Sequence, residues 1–64
     1  MKVYERQHKG HNIAIEEYEN RYFLSTTLEQ MGEVVNVAQV YYKDEVDNMD
    51  TMLDDFLNFY ESCR

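Results

Sequence analysis

The sequence predicts an α+β fold: a small antiparallel β-sheet of three to four strands packed against one C-terminal amphipathic α-helix, in ββββα order. Three observations predict it. Around a helical wheel, Val46, Met49, Met52, Leu53, Phe56, Leu57, Phe59, Tyr60 and Cys63 fall in one arc roughly 160° wide, with no polar residue among them. Asn12 to Glu19 alternates with period two, as a half-buried strand does. Glu33 to Tyr42 is a near-continuous apolar run, the pattern of a strand covered on both faces, or on one face and partly on the other.

Lys2 to His8 alternates loosely, with Val3, Glu5 and Gln7 on one face and Tyr4, Arg6 and His8 on the other. His8-Lys9-Gly10-His11 supplies a turn, where Gly10 provides the positive φ of a tight hairpin or bulge. In Asn12 to Glu19, Ile13 and Ile15 share a face opposite Asn12, Ala14, Glu16 and Tyr18. Glu19-Asn20 reads as a second tight turn, because asparagine tolerates left-handed backbone. Arg21 to Thr27 is rich in aromatic and β-branched residues that suit a pleated surface. Thr27-Leu28-Glu29-Gln30 has the form of a capping box ended by Gly32, or else is a plain loop. The last helix is expected over Glu45 to Cys63, with Asp44 as its N-cap and acidic residues complementing its dipole.

The 64 residues make a single domain, 1–64, without repeats, linkers or low-complexity tracts. Six tyrosines and three phenylalanines, with 44% hydrophobic residues, argue for a folded chain rather than an acidic disordered tail. Burying each large side chain of the helix contributes about 1.5–3 kcal/mol before entropy is subtracted. The apolar arc is wide for one sheet face, so Met52, Phe59 and Cys63 are candidates to reach a second subunit as a homodimer. The sequence start lacks an apolar signal-peptide core and no run reaches membrane-spanning length, so the expectation is a cytoplasmic protein without membrane contact. Cys63 alone cannot staple the fold, which fits a reducing compartment.

Thirteen acidic against six basic residues give a net charge of −7. No basic cluster exists to displace counterions from phosphates, which opposes direct nucleic-acid binding. The charge favours a basic protein partner and faster association with it, or it serves only to keep the chain in solution. Asp47, Asp50, Asp54, Asp55 and Glu61 form a carboxylate ridge opposite the apolar arc, spanning about 20 Å at 1.5 Å per residue. Tyr18 and Tyr22 flank one turn and are the candidate aromatic contacts, since tyrosine combines rigid area with a polar end.

Catalytic equipment is thin. His8 and His11 flank a turn as expected exposed residues, and neither Cys nor His spacing matches a structural zinc site, so no metal or cofactor is expected. Ser25 and Ser62 lack a strand-turn-helix nucleophile context. Gly10 and Gly32 are too far apart for a phosphate loop. A non-enzymatic protein is expected.

Leu53-Asp54-Asp55-Phe56-Leu57-Asn58-Phe59-Tyr60-Glu61 resembles the close of the helix in HicB-type antitoxin domains, where an acidic pair precedes an aromatic-leucine pair. Lys9 to Tyr18 is similar to that family's first strand, and Tyr22-Phe23 falls where its second begins. The glycine-acid-threonine/serine lead into the family's helix is replaced by Tyr42-Lys43-Asp44-Glu45. The resemblance covers about half the chain and implies a domain that occludes a small basic RNA-cleaving toxin, without the autorepressor half.

Two functional expectations follow. One is an inhibitor of phage or mobile-element type, whose acidic surface occupies the nucleic-acid channel of a nuclease or CRISPR effector as anti-CRISPR and anti-restriction DNA mimics do. The other is an antitoxin that neutralises one cognate toxin. A structural or regulatory homodimer with merely solubilising charge is the bland alternative.

Overall fold

The computed structural model describes all 64 residues, Met1–Arg64. Four strands, β1 (Lys2–His8), β2 (His11–Glu17), β3 (Arg21–Gln30) and β4 (Glu33–Tyr42), form one antiparallel sheet in the order β1-β2-β3-β4. A short 3₁₀ turn, Lys43–Glu45, leads to the helix α1 (Met49–Ser62), which covers one sheet face. This is the expected ββββα, α+β arrangement.

The two outer hairpins share a device. Lys9 and Gly10 have φ of 50° and 83°, and Met31 and Gly32 have φ of 53° and 81°. Two consecutive positive φ values define the two-residue loop whose twist matches that of the flanking strands. The helical turn or loop expected over Thr27–Gln30 is instead the end of β3. The Thr27…Gln30 spacing imitates a capping box, but pairing continues unbroken to Gln30↔Glu33. Between β2 and β3, the Tyr18 amide donates to the Arg21 carbonyl at 2.9 Å, and Asn20 does not take a positive φ.

Period-two alternation selects the core. Ile13 and Ile15 of β2, Leu24 and Leu28 of β3 and Val37 of β4 point towards the helix and meet Met52, Leu53, Phe56 and Leu57. All nine are buried and all are hydrophobic, while Tyr4, Tyr22, Tyr41, Val46, Met49, Phe59 and Tyr60 pack around them. Met52 is therefore core, Phe59 packs at its margin and Cys63 is exposed at the helix end. Apart from Cys63 the wide apolar arc is used within the chain: Met52, Leu53, Phe56 and Leu57 fill the sheet face, and Val46, Met49, Phe59 and Tyr60 pack at the margin of the core.

The coverage expected for β4, on both faces or on one face and partly on the other, does not form: of its ten residues Val37 alone is buried. β4 is an edge strand, and Val34, Val35, Val40 and Tyr42 are exposed at 71%, 43%, 42% and 50%. An apolar run cannot by itself distinguish a central strand from an edge. β3 and β4 have ten residues each against seven for β1 and β2, so their hairpin overhangs and the molecule measures 36 × 21 × 17 Å. No helix is long and apolar enough to cross a membrane.

Candidate functional site

The helix begins four residues later than the wheel suggests. Asn48, not Asp44, is its N-cap: its Oδ1 accepts the Thr51 amide at 2.9 Å, and the Thr51 hydroxyl donates to the Asn48 carbonyl at 3.0 Å. The first of these bonds satisfies an amide that otherwise has no intrahelical partner, and the Asn48 carbonyl also accepts the Met52 amide at 3.2 Å, the first bond of the helix. Residues 43–48 thus form a separate connection between β4 and the helix. The Lys43 amide donates to the Asn20 carbonyl at 2.9 Å, and Val46 packs against the core, so the connection is pinned at two points.

Charge is sorted by this connection. The Lys43 ammonium turns inward to Glu17 Oε2 at 2.9 Å and lies 5.1 Å from the centre of the Tyr22 ring. Glu17 also accepts the Tyr4 hydroxyl at 3.0 Å. The Lys43 contact, and after it the Tyr4 hydrogen bond, hold the Glu17 carboxyl below its ordinary range. With its one base turned away, the connection presents Asp44, Glu45 and Asp47 to solvent, Asp50 follows in the first helical turn, and none of the four makes an ion pair.

Beside these acids a groove of about 440 Å³ runs between the end of β4 and the start of the helix. Val40, Val46 and Met52 supply apolar lining, Tyr41 and Tyr42 supply rings, and Glu45, Asp47 and Asp55 supply carboxylates. The Tyr41 hydroxyl donates to Asp55 Oδ2 at 2.8 Å. Burial first, and then that carboxylate, push the Tyr41 phenol well up from its ordinary value. Such a groove suits the aliphatic stem and charged head of a lysine or arginine, which bury and expose in that order.

The expected ridge is split by these contacts. Asp47 and Asp50 lie at the open acidic end, and Asp55 borders it. Asp54 turns to the opposite side, where Oδ1 receives His8 Nε2 at 2.7 Å and Lys9 Nζ at 2.8 Å. Lys9, and after it His8, lower the Asp54 carboxyl from its ordinary value. Glu61 pairs with Arg64 at 3.0 Å. Asp54 and Glu61 are therefore neutralised within the chain.

The two tyrosines flanking the β2–β3 turn are separated as well. Tyr22 packs against the core on the helix side, whereas the Tyr18 hydroxyl donates to Glu16 at 2.7 Å and its ring lies 4.5 Å from the Arg21 guanidinium carbon. His8 and His11 are half-buried rather than exposed; His11 meets the Tyr60 ring edge-on at 5.2 Å between centroids. No three His, Cys, Asp or Glu side chains stand together as a metal-ion site would require.

Asp44, Glu45, Tyr41 and Tyr42 were not among the partner-contact residues expected from the sequence, where Asp44 was read only as a helix cap. Asn48 three residues before Thr51 was the available signal, since a cap there makes Asp44–Asp47 a connection rather than a first helical turn. No family model matches the chain, and no curated protein or solved structure is significantly similar to it.

Proposed function

We propose that the chain is a non-enzymatic binding module that occludes a basic, nucleic-acid-handling protein with its acidic end. The observation that carries this reading is the run of four exposed carboxylates, Asp44, Glu45, Asp47 and Asp50, without a cation among them, beside a tyrosine-lined groove. None of these acids makes an ion pair within the chain, only Asp50 has a structural role, complementing the dipole in the first helical turn, and an unneutralised cluster is unfavourable for the compact state through self-repulsion. A partner that brings lysine and arginine relieves that repulsion and fills the groove. A nuclease or CRISPR effector whose channel normally holds phosphates offers this chemistry, and on this reading the chain is a cytoplasmic inhibitor of phage or mobile-element type.

The antitoxin reading shares this mechanism. The residues that carry the likeness to HicB-type domains serve the fold, however: Phe56 and Leu57 are core and Asp54 pairs with His8 and Lys9. The likeness therefore says little about a toxin surface, and the acidic end is the better guide to the partner.

The test uses immobilised wild-type chain and a Glu45→Lys/Asp47→Lys/Asp50→Lys variant, each incubated with host lysate. The expected result is a basic nucleic-acid-binding protein that is retained at low salt, released by salt or by added duplex, and not retained by the variant. Equal retention by the variant, or a partner indifferent to salt and nucleic acid, would overturn the proposal.

A further inference from the structure

We propose that a second copy of this chain adds to the sheet along β4, antiparallel and centred on Ala38, giving a closed twofold dimer with one continuous sheet. β4 is paired with β3 over all ten of its residues, from Arg21↔Tyr42 to Gln30↔Glu33, and has no strand on its other side. Such an edge presents a row of free amides and carbonyls that template another strand.

Proteins blunt such edges with charge, proline or bulges. The other edge, β1, has Lys2, Glu5 and Arg6. Past its first residue, Glu33, β4 has none of these devices: its pairing with β3 has no bulge, and Val34–Tyr42 is the longest stretch of the chain without Asp, Glu, Lys, Arg or Pro. Val34, Val35, Val40 and Tyr42 are exposed along it.

Charge selects both the occupant and the register. Two chains of net charge −7 repel one another, so self-association is easiest where each is neutral, and β4 is that place. Centring on Ala38 sets the neutral stretch of one copy against that of the other. Val34 meets Tyr42, Val35 meets Tyr41, Asn36 meets Val40 and Val37 meets Gln39, with Glu33 opposite Lys43 of the second copy. Valine–tyrosine pairs are favourable cross-strand neighbours. Centring on Val37 instead sets Glu33 opposite Tyr41, on the side of the groove acids Glu45, Asp47 and Asp55. Every pair joins residues of like parity, so both helices lie on the same face of the joined sheet and the interface is self-complementary.

Light scattering coupled to size exclusion, from low micromolar to near-millimolar chain, tests the proposal in a Cys63→Ser background. The expected mass rises from 7.8 kDa to twice that value with concentration. Ala38→Lys, which sets two ammonium groups opposite each other on the axis, should shift the midpoint to higher concentration while circular dichroism shows the fold retained. Ala38→Cys should oxidise to a disulfide-linked dimer far faster than Glu5→Cys on the guarded edge. A monomer at every concentration, an association that continues past the dimer, or equal oxidation of the two cysteine variants would overturn it.

Discussion

His8 Nε2 stands 2.7 Å from Asp54 Oδ1, tying the end of the first strand to the middle of the helix across 46 residues of sequence. The same oxygen receives Lys9 Nζ at 2.8 Å. Lys9 takes a positive φ in the hairpin turn, and this contact helps to offset the strain of that conformation. The carboxylate therefore locks the β1–β2 hairpin onto the helix.

That lock predicts acid sensitivity. Asp54 and Glu17 have carboxyl pKa values lowered from 3.8 and 4.5 by their cationic neighbours. A lowered folded value contributes stability that is fully present above the unfolded pKa and lost as pH falls through the folded one. The melting temperature should therefore hold through mildly acidic pH and decline below about pH 4.5, the upper unfolded value. Asp54→Asn should flatten part of that decline; an unchanged acid profile would show that the pair makes no net contribution.

Alkaline pH probes the other side of the same packing. Burial first, and then the Glu17 carboxylate, push the Tyr4 phenol up to about 12, and Tyr41 is raised by burial and Asp55. The Glu16 hydrogen bond, ahead of burial, raises Tyr18. A phenol whose folded pKa is raised contributes stability that is complete below its unfolded value and lost as pH rises through the folded one. Spectroscopic titration of the phenolate band should show a portion ionising late, and Tyr4→Phe should reduce that portion. Late ionisation that survives Tyr4→Phe at full amplitude would place it elsewhere.

The start of the helix gives a direct comparison of sequence expectation with structure. Asn48→Ala should destabilise the chain by about 1 kcal/mol, the usual loss of an N-cap, whereas Asp44→Ala should leave stability nearly unchanged. Urea denaturation of the two variants measures the difference, and a larger loss at Asp44 would return the helix start to the position the wheel suggests.

Such differences show what the sequence holds. The core facing of Ile13, Ile15 and Phe56 was legible because burial follows the local periods of strand and helix. Val3 was correctly set opposite Tyr4, and Gly10 marked its turn. Met31 did not mark the second turn, because methionine is not expected at a positive φ and only the strong ladder on either side imposes it. The exposure of β4 was illegible for another reason, since strand order is a property of the sheet and not of the run. The ridge was legible as composition, but its division was not. Pairing Asp54 with Lys9 and leaving Asp50 open depends on where the hairpin meets the helix, which no local pattern records.

Function and stability should accordingly separate along the helix. Asp47→Lys/Asp50→Lys alters acids that make no ion pair in the chain; relief of self-repulsion is offset by the loss of Asp50 from the first helical turn, about 0.3–1 kcal/mol, so the melting temperature should change little while capture of a basic partner is abolished. Asp54→Lys removes the acceptor of two contacts and sets an ammonium beside Lys9, so it should lower the melting temperature. If the acidic end is the binding surface, the Asp54 variant should still capture the partner at temperatures where it remains folded. Thermal denaturation and low-salt retention, measured together on both variants, decide the matter. A double variant that melts early would mean that Asp47 and Asp50 hold the connection in place. An Asp54 variant that is folded yet fails to bind would move the interface to the β1–β2 hairpin.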